Sequence, residues 1–170
     1  PIDSALARRF FRINIEPNYD TLQKQLGLSD SSYPKPNTPE EVSIMLLKRV
    51  NMIISAVLGD DFQFGHSYFW NVDGTEDEKW KAVADAFEGN IYPQLKELLR
   101  SQPETLATIL KINEGTAPPS AYPYKKDTES KKLIDELDME ISTAILNIPF
   151  SSLTINEIKE ALRFLARKEA

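Results

Sequence analysis

The sequence predicts a mainly α-helical fold, and three observations carry that prediction. A helix-start signature at Thr38-Pro39-Glu40-Glu41 opens a long run that is apolar on most of its surface. Further starts follow at Thr75 and Ser101, and two more helical periods close the chain after a proline-rich break. The totals agree: 170 residues, 41% of them hydrophobic, can bury one ordinary core, or one domain with an appendage. No run approaches the roughly 20 apolar residues of a membrane-spanning helix. A net charge of -6 disfavours a chain-wide phosphate-binding surface. The lack of cysteine excludes disulfides, thiolate metal sites and cysteine nucleophiles, which fits a cytoplasmic protein.

The first residue is not Met, and residues 2–12 already read like the middle of a domain, so the chain is expected to be a fragment of a longer protein. Asp3 caps a short helical turn from Ser4 to Arg8. Phe10, Phe11, Ile13 and Ile15, alternating with Arg12 and Asn14, then give a strand ending before Pro17. A lone strand cannot satisfy its own backbone, so its sheet is expected outside this sequence. Asn18 to Leu26 is a short helix stopped by Gly27, and Ser29 to Asn37 is a loop.

Thr38 as cap, Pro39 at the first position and Glu41 completing a capping box start the principal helix, which runs to Leu58. Val42, Met45, Leu46, Val50, Ile53 and Val57 form one apolar stripe, and Ile44, Leu47, Ile54 and Leu58 a second. Lys48, Asn51 and Ser55 leave a narrow polar strip. So apolar a helix is the centre of a bundle. Each fully buried Leu, Ile or Val contributes about 1.5 to 3 kcal/mol, which makes this helix the main source of stability.

Residues 62–70 hold Phe62, Phe64, Tyr68, Phe69 and Trp70 around the only histidine, His66, with Gly65 where an extended run must turn. Asn71 to Gly74 is a turn. Thr75 to Glu78 is a second capping box, opening a helix that carries Trp80, Val83, Ala84 and Phe87 and is expected to stop at Gly89. Asn90 begins another, with Pro93 tolerated in its first turn, and Ser101-Gln102-Pro103-Glu104 a third, to about Lys111. Short helices at sharp angles imply a compact bundle. Glu114 to Lys126, with Gly115, Pro118, Pro119 and Pro123, reads as a linker, and Pro118 to Tyr124 is expected to be mobile or to lie along the surface. A helix from about Thr128 to Asn147 and another from about Ile155 to Lys168 come next. Thr154 and Glu157 cap the last, whose stripe of Ile158, Ala161, Leu162 and Leu165 is expected to pack back on the bundle.

Leu58-Gly59-Asp60-Asp61-Phe62-Gln63-Phe64-Gly65-His66-Ser67-Tyr68-Phe69, followed by Asp73-Gly74-Thr75, resembles the C-terminal part of the McrB-type AAA+ GTPases, motor subunits of restriction systems directed at modified cytosine. Ala5-Leu6-Ala7-Arg8-Arg9-Phe10 with Ile15-Glu16-Pro17 looks like that family's stretch leaving the sensor-1 strand. Asn90-Ile91-Tyr92-Pro93-Gln94-Leu95-Lys96-Glu97-Leu98 looks like its late lid helix. The resemblance covers roughly the first 110 residues, in order.

It implies a AAA+ C-terminal helical lid bundle preceded by one orphan β-strand of the AAA+ core, with a C-terminal helical extension. Residues 1–17 would end the core, 18–112 form the lid, 113–127 a linker and 128–170 the extension, for which no family motif matches. It further implies hydrolysis of GTP or ATP with magnesium, coupled to DNA translocation for restriction. The partners would be the chain's own AAA+ core, neighbouring subunits in a hexameric ring and a nuclease subunit. DNA would be met through the parent only, and no membrane is involved. The phosphate-binding loop G-x-x-x-x-G-K-[ST] is absent from these residues, so the fragment alone is expected to hold no cofactor and to be inactive. Two alternatives stand beside this reading: the lid of a remodelling or chaperone-like AAA+ ATPase, and a free-standing helical interaction module.

Arg8 and Arg9 are the catalytic candidates, as trans-acting fingers for the charge that develops in a neighbouring subunit's site; otherwise they merely solvate a helix end. Gly65, His66 and Ser67 are the nucleotide-binding candidates, because a turn into a helix presents N–H groups that suit anions. At the lid's sensor-2 position other AAA+ branches carry an arginine, where this chain offers Gly65-His66-Ser67-Tyr68. Against this, a lone histidine is often a structural residue bonded near a core, and Ser67 a cap. The clustered aromatics are read as core rather than base-stacking. Glu76, Asp77 and Glu78 are read as a helix start favoured by the dipole, and no metal site is expected.

Overall fold

A computed structural model describes residues 16–29, 35–112, 117–130, 132 and 145–167. The expected orphan strand, the turn before it and both arginines of the pair lie outside these residues. Among the described residues the chain is mainly helical: α1 (Tyr19–Gln25), α2 (Pro39–Leu58), α3 (Glu76–Ala86), α4 (Tyr92–Leu98), α5 (Pro103–Ile109) and α6 (Ile155–Ala166), with a two-stranded sheet of β1 (Tyr124–Lys126) and β2 (Ile145–Asn147).

The helix starts obey the sequence signals. Asn18 caps α1 by accepting the Thr21 N–H at 2.8 Å. Thr38, Thr75 and Thr154 each cap a helix reciprocally with Glu41, Glu78 and Glu157. α1 ends in a Schellman arrangement, with Gly27 at φ 70 and the Leu28 N–H bonded to the Gln23 carbonyl.

α2 is the centre, as expected: Val42, Ile44, Leu46, Leu47, Val50 and Ile54 are fully buried. The stripe thins toward its end, where Val57, assigned to it from spacing, is 41% exposed. The polar strip is also corrected, because Asn51 is only 1% exposed and faces the interior. Arg49 is buried too, donating to the carbonyls of Ile109 at 2.6 Å and Thr108 at 2.9 Å. Those carbonyls end α5, where the helix dipole is negative and a cation is favoured.

The expected stop at Gly89 does not occur. α3 runs through a single π-helical stretch, Phe87–Ile91, into α4, with the Tyr92 N–H bonded to the Phe87 carbonyl. Gly89 takes no left-handed conformation, so it supplies no stop. A wider turn also suits Pro93, whose ring would crowd the preceding turn of a regular helix and which has no N–H to donate.

The terminal segment departs furthest from expectation. Pro118 to Tyr124 does not lie wholly along the surface: Tyr122 and Tyr124 are each 1% exposed. The Tyr122 hydroxyl donates to the Leu110 carbonyl at 2.7 Å, and its ring meets Phe164 at 5.0 Å between centroids. The Tyr124 ring packs against Phe87, Tyr92 and Phe150. The helix expected to reach Asn147 is corrected at its end, where Ile145, Leu146 and Asn147 pair antiparallel with Lys126, Lys125 and Tyr124. Its start holds, with residues 128–130 helical and the Asp127 carboxylate accepting the Glu129 and Ser130 N–H groups; residues 133–144 lie outside the described ones.

α6 lies across α2 and α3 as its stripe predicts, burying Ile158, Ala161, Leu162 and Leu165, with Phe164 beside them. Lys159 reaches Asp77 at 2.8 Å, and Arg163 stacks on the Trp80 ring while donating to the Asn37 carbonyl. One core therefore spans Leu22 to Ala166.

This packing leads to two expected outcomes. Leu162→Ala lowers stability by about 2 to 5 kcal/mol in urea unfolding, and the amides of residues 158–165 exchange slowly in the wild-type chain. The second concerns acid. Burial opposes ionisation of Glu40, but its hydrogen bond and attraction to Lys79 at 2.7 Å outweigh this and hold its carboxyl below the usual range. Such a group stabilises fully above its unfolded pKa and loses that contribution as pH falls through its lower folded value. Stability therefore declines below about pH 4.3, and Glu40→Gln makes that decline shallower in pH-dependent unfolding.

Candidate functional site

The site begins with a helix that has one amide where only apolar groups belong. Asn51 Oδ1 accepts the Phe64 N–H at 2.7 Å, and Asn51 Nδ2 donates to the Phe64 carbonyl at 2.8 Å. The amide thus pairs with both backbone groups of one residue, as a neighbouring strand would. The same Nδ2 donates to the Tyr19 hydroxyl at 3.0 Å. Burial holds that phenol above its ordinary pKa, with the Asn51 bond acting in the other direction. Lys48 lies 5.4 Å from the centre of the Tyr19 ring, a cation–π contact.

Held at Phe64, the chain enters the 3₁₀ turn His66–Phe69. His66 Nδ1 accepts the Asn18 N–H at 3.2 Å, which places the neutral ring's proton on Nε2. Asn18 therefore serves two elements, capping α1 with its side chain and bonding His66 with its backbone. The His66 ring meets Trp70 edge-on at 6.1 Å, and the Trp70 carbonyl accepts from Gln25 at 3.5 Å. On the other flank the Tyr68 hydroxyl is bonded to the Gln94 amide of α4, with Gln94 Nε2 at 2.7 Å. The turn is thereby tied to α1, α2 and α4 together.

Gly65, His66 and Ser67 lie consecutively at the head of this turn. Gly65 has φ -66 and ψ 154, which any residue adopts, and a Cβ there would meet only Ser67 Oγ at 3.7 Å. The turn does not require glycine. Ser67 makes no cap; it is exposed and sits inside the 3₁₀ turn, whose side-chain cap position is empty. His66 has the structural bond that the conservative reading expects, with one ring nitrogen committed to it. Phe64 and Phe69 are buried, while Phe62 is 47% exposed. Arg8 and Arg9 lie outside the described residues, so their placement relative to this turn is not part of the geometry.

The acidic run at the head of α3 consists of partnered groups. Glu76 accepts the Trp80 indole N–H at 2.8 Å, Asp77 pairs with Lys159, and Glu78 completes the box with Thr75. The backbone and side-chain bonds from Thr75 hold the Glu78 carboxyl below its ordinary range. Among the described residues no cluster of His, Asp or Glu is arranged to hold a metal ion, and no described helix is long and apolar enough to cross a membrane.

Sequence reasoning placed Asn51 in solvent and gave no part to Asn18 or Tyr19. The available signal was Asn51 itself: asparagine is a poor residue for a helix interior and competes for backbone bonds, so its presence between Val50 and Met52 marks a use other than helix formation.

Residues 43–107 match the family model described as McrB, alpha-helical lid domain. The match runs from the second turn of α2 into α5, and it takes in two of the three segments that carry the resemblance, the aromatic stretch after Leu58 and the Asn90 to Leu98 helix. The resemblance to a McrB-type lid holds over these residues. No curated protein and no solved structure matches the chain.

Asn51→Leu leaves the Phe64 N–H and carbonyl buried without partners and lowers stability by about 2 to 4 kcal/mol, measured by chemical denaturation, although leucine is the better helix former.

Proposed function

We propose that this chain supplies the lid of a McrB-like AAA+ NTPase, closing over a nucleotide held by a preceding core and passing the effect of hydrolysis to neighbouring subunits. The observation that supports it is the match over residues 43–107, which falls on the helices that pack around α2. The geometry adds a reason why a lid so built would move as a unit. The stretch leading into α1 is bonded to the His66 turn, and that turn is bonded to α2 and α4. Rotation of a preceding domain about residues 16–18 would therefore be delivered to the whole bundle rather than absorbed in one loop.

In this reading Gly65, His66 and Ser67 face the nucleotide, with His66 Nε2 and the amides of the turn as the donors. Arg8 and Arg9 reach a neighbour's site as fingers. GTP or ATP with magnesium is bound and hydrolysed by the parent, in a ring that moves DNA toward a nuclease. A working parent carries a phosphate-binding loop, so peptide mapping of the native polypeptide finds G-x-x-x-x-G-K-[ST] upstream of Pro1. If the native polypeptide instead begins at or near Ile2, the free-standing helical module becomes the better account.

The finger role has its own test. In the assembled parent, replacing whichever of the two arginines acts as the finger with alanine (Arg8→Ala or Arg9→Ala) lowers nucleotide turnover by about 10³-fold or more, while unfolding of the lid is unchanged. Normal turnover in both variants under ring-forming conditions rules out the assignment.

A further inference from the structure

Where the terminal segment meets the bundle, two buried polar atoms have no hydrogen-bond partner among the described residues: the Tyr124 hydroxyl and Asn147 Oδ1. Tyr124 is enclosed by the rings of Phe87, Tyr92, Tyr122 and Phe150. A hydrogen bond left unmade at this depth costs the full desolvation of the group, so native proteins rarely tolerate one. Tyr124 and Asn147 are register partners of β1 and β2, so their side chains leave the same face of the ribbon. A third polar group comes from the π-helical stretch of the bundle. The Glu88 carboxylate accepts the Phe150 N–H at 3.1 Å and the Asn147 amide at 3.4 Å.

Donor and acceptor chemistry narrows what can satisfy both atoms. Turning the Asn147 amide over would set its oxygen against the Glu88 carboxylate, so Oδ1 must be the atom that faces away from Glu88. A cation would suit Oδ1 and the carboxylate but accepts no hydrogen bond, which strands the phenolic hydrogen. Ionising the phenol is opposed by burial first and by Tyr122 and Glu88 after it, so the hydroxyl stays protonated. A water molecule alone both accepts from Tyr124 and donates to Asn147, and Glu88 offers it a third partner.

We propose that one buried water bridges the Tyr124 hydroxyl and Asn147 Oδ1 and fastens the β-ribbon of the terminal segment to the π-helical stretch that carries Glu88. The ribbon is then joined to the lid through a hydrated polar seam set inside an aromatic cluster, and Tyr124 is kept as tyrosine where phenylalanine would fill the same apolar space.

The test is a crystal structure of the whole chain at a resolution that shows ordered water, with equilibrium unfolding of Tyr124→Phe. The expected map has one water peak about 2.6 to 3.2 Å from both atoms, and Tyr124→Phe lowers the folding equilibrium constant about five-fold. In an Asn147→Leu background the same substitution costs markedly less, because the bridge is already broken. The proposal is overturned by the absence of the peak, by four or more oxygen ligands at cation distances, by a protein group bonded to the hydroxyl, or by Tyr124→Phe being no less stable than the wild-type chain.

Discussion

Burial of most of α2 leaves Ser43, Arg49 and Asn51 no water to turn to, and the rest of the architecture depends on where they find partners. Ser43 bonds back to the Pro39 carbonyl within the helix itself. Arg49 takes the carbonyls that end α5, and Asn51 takes both backbone groups of Phe64. The last two are long-range and directional, so they do what apolar contact cannot: they set the register between elements. Apolar packing around α2 tolerates small rotations of its neighbours, whereas a paired amide tolerates very little. The turn that carries His66 inherits its position from that amide.

What was legible in the sequence was local. Thr38, Thr75 and Thr154 announce helix starts because the capping box is satisfied entirely within four residues, and all three are realised. The stripe on α6 was legible for the same reason, since its period needs no knowledge of a partner. What was not legible depended on distant residues. Gly89 has the usual mark of a helix end, yet the bundle carries the helix through it by a wider turn. Pro118, Pro119 and Pro123 mark a break in regular structure and say nothing of depth, and Tyr122 is buried because Leu110 offers it a carbonyl. In the candidate site, His66 and its neighbours stood out by type, while Asn18 and Asn51, which hold them, look like ordinary polar residues until their partners are known.

The family match and the physical core have different limits. The match ends at residue 107, whereas Tyr122, Tyr124, Phe150 and α6 pack into the same core as α2 and α3. Trp80 illustrates the dependence: its ring is fully buried, with the Arg163 guanidinium stacked on it. Lys111 reaches across in the opposite direction. Held in a left-handed conformation just after α5, it donates to the Arg167 carbonyl at the end of α6 and lies over the Phe164 ring. Described residues beyond 112 thus contribute to the same core as the matched helices.

That α6 closes against α2 also orders events in time. Residues near 45 and residues near 160 must meet across more than half the chain, and contacts so distant in sequence are slow to form because much of the chain must be gathered first. On a ribosome the apolar face of α2 emerges well before α6, with synthesis at about 5 to 20 residues per second. For several seconds of every synthesis the bundle presents an uncovered apolar surface to whatever surrounds the nascent chain, and chaperone demand should concentrate in that interval.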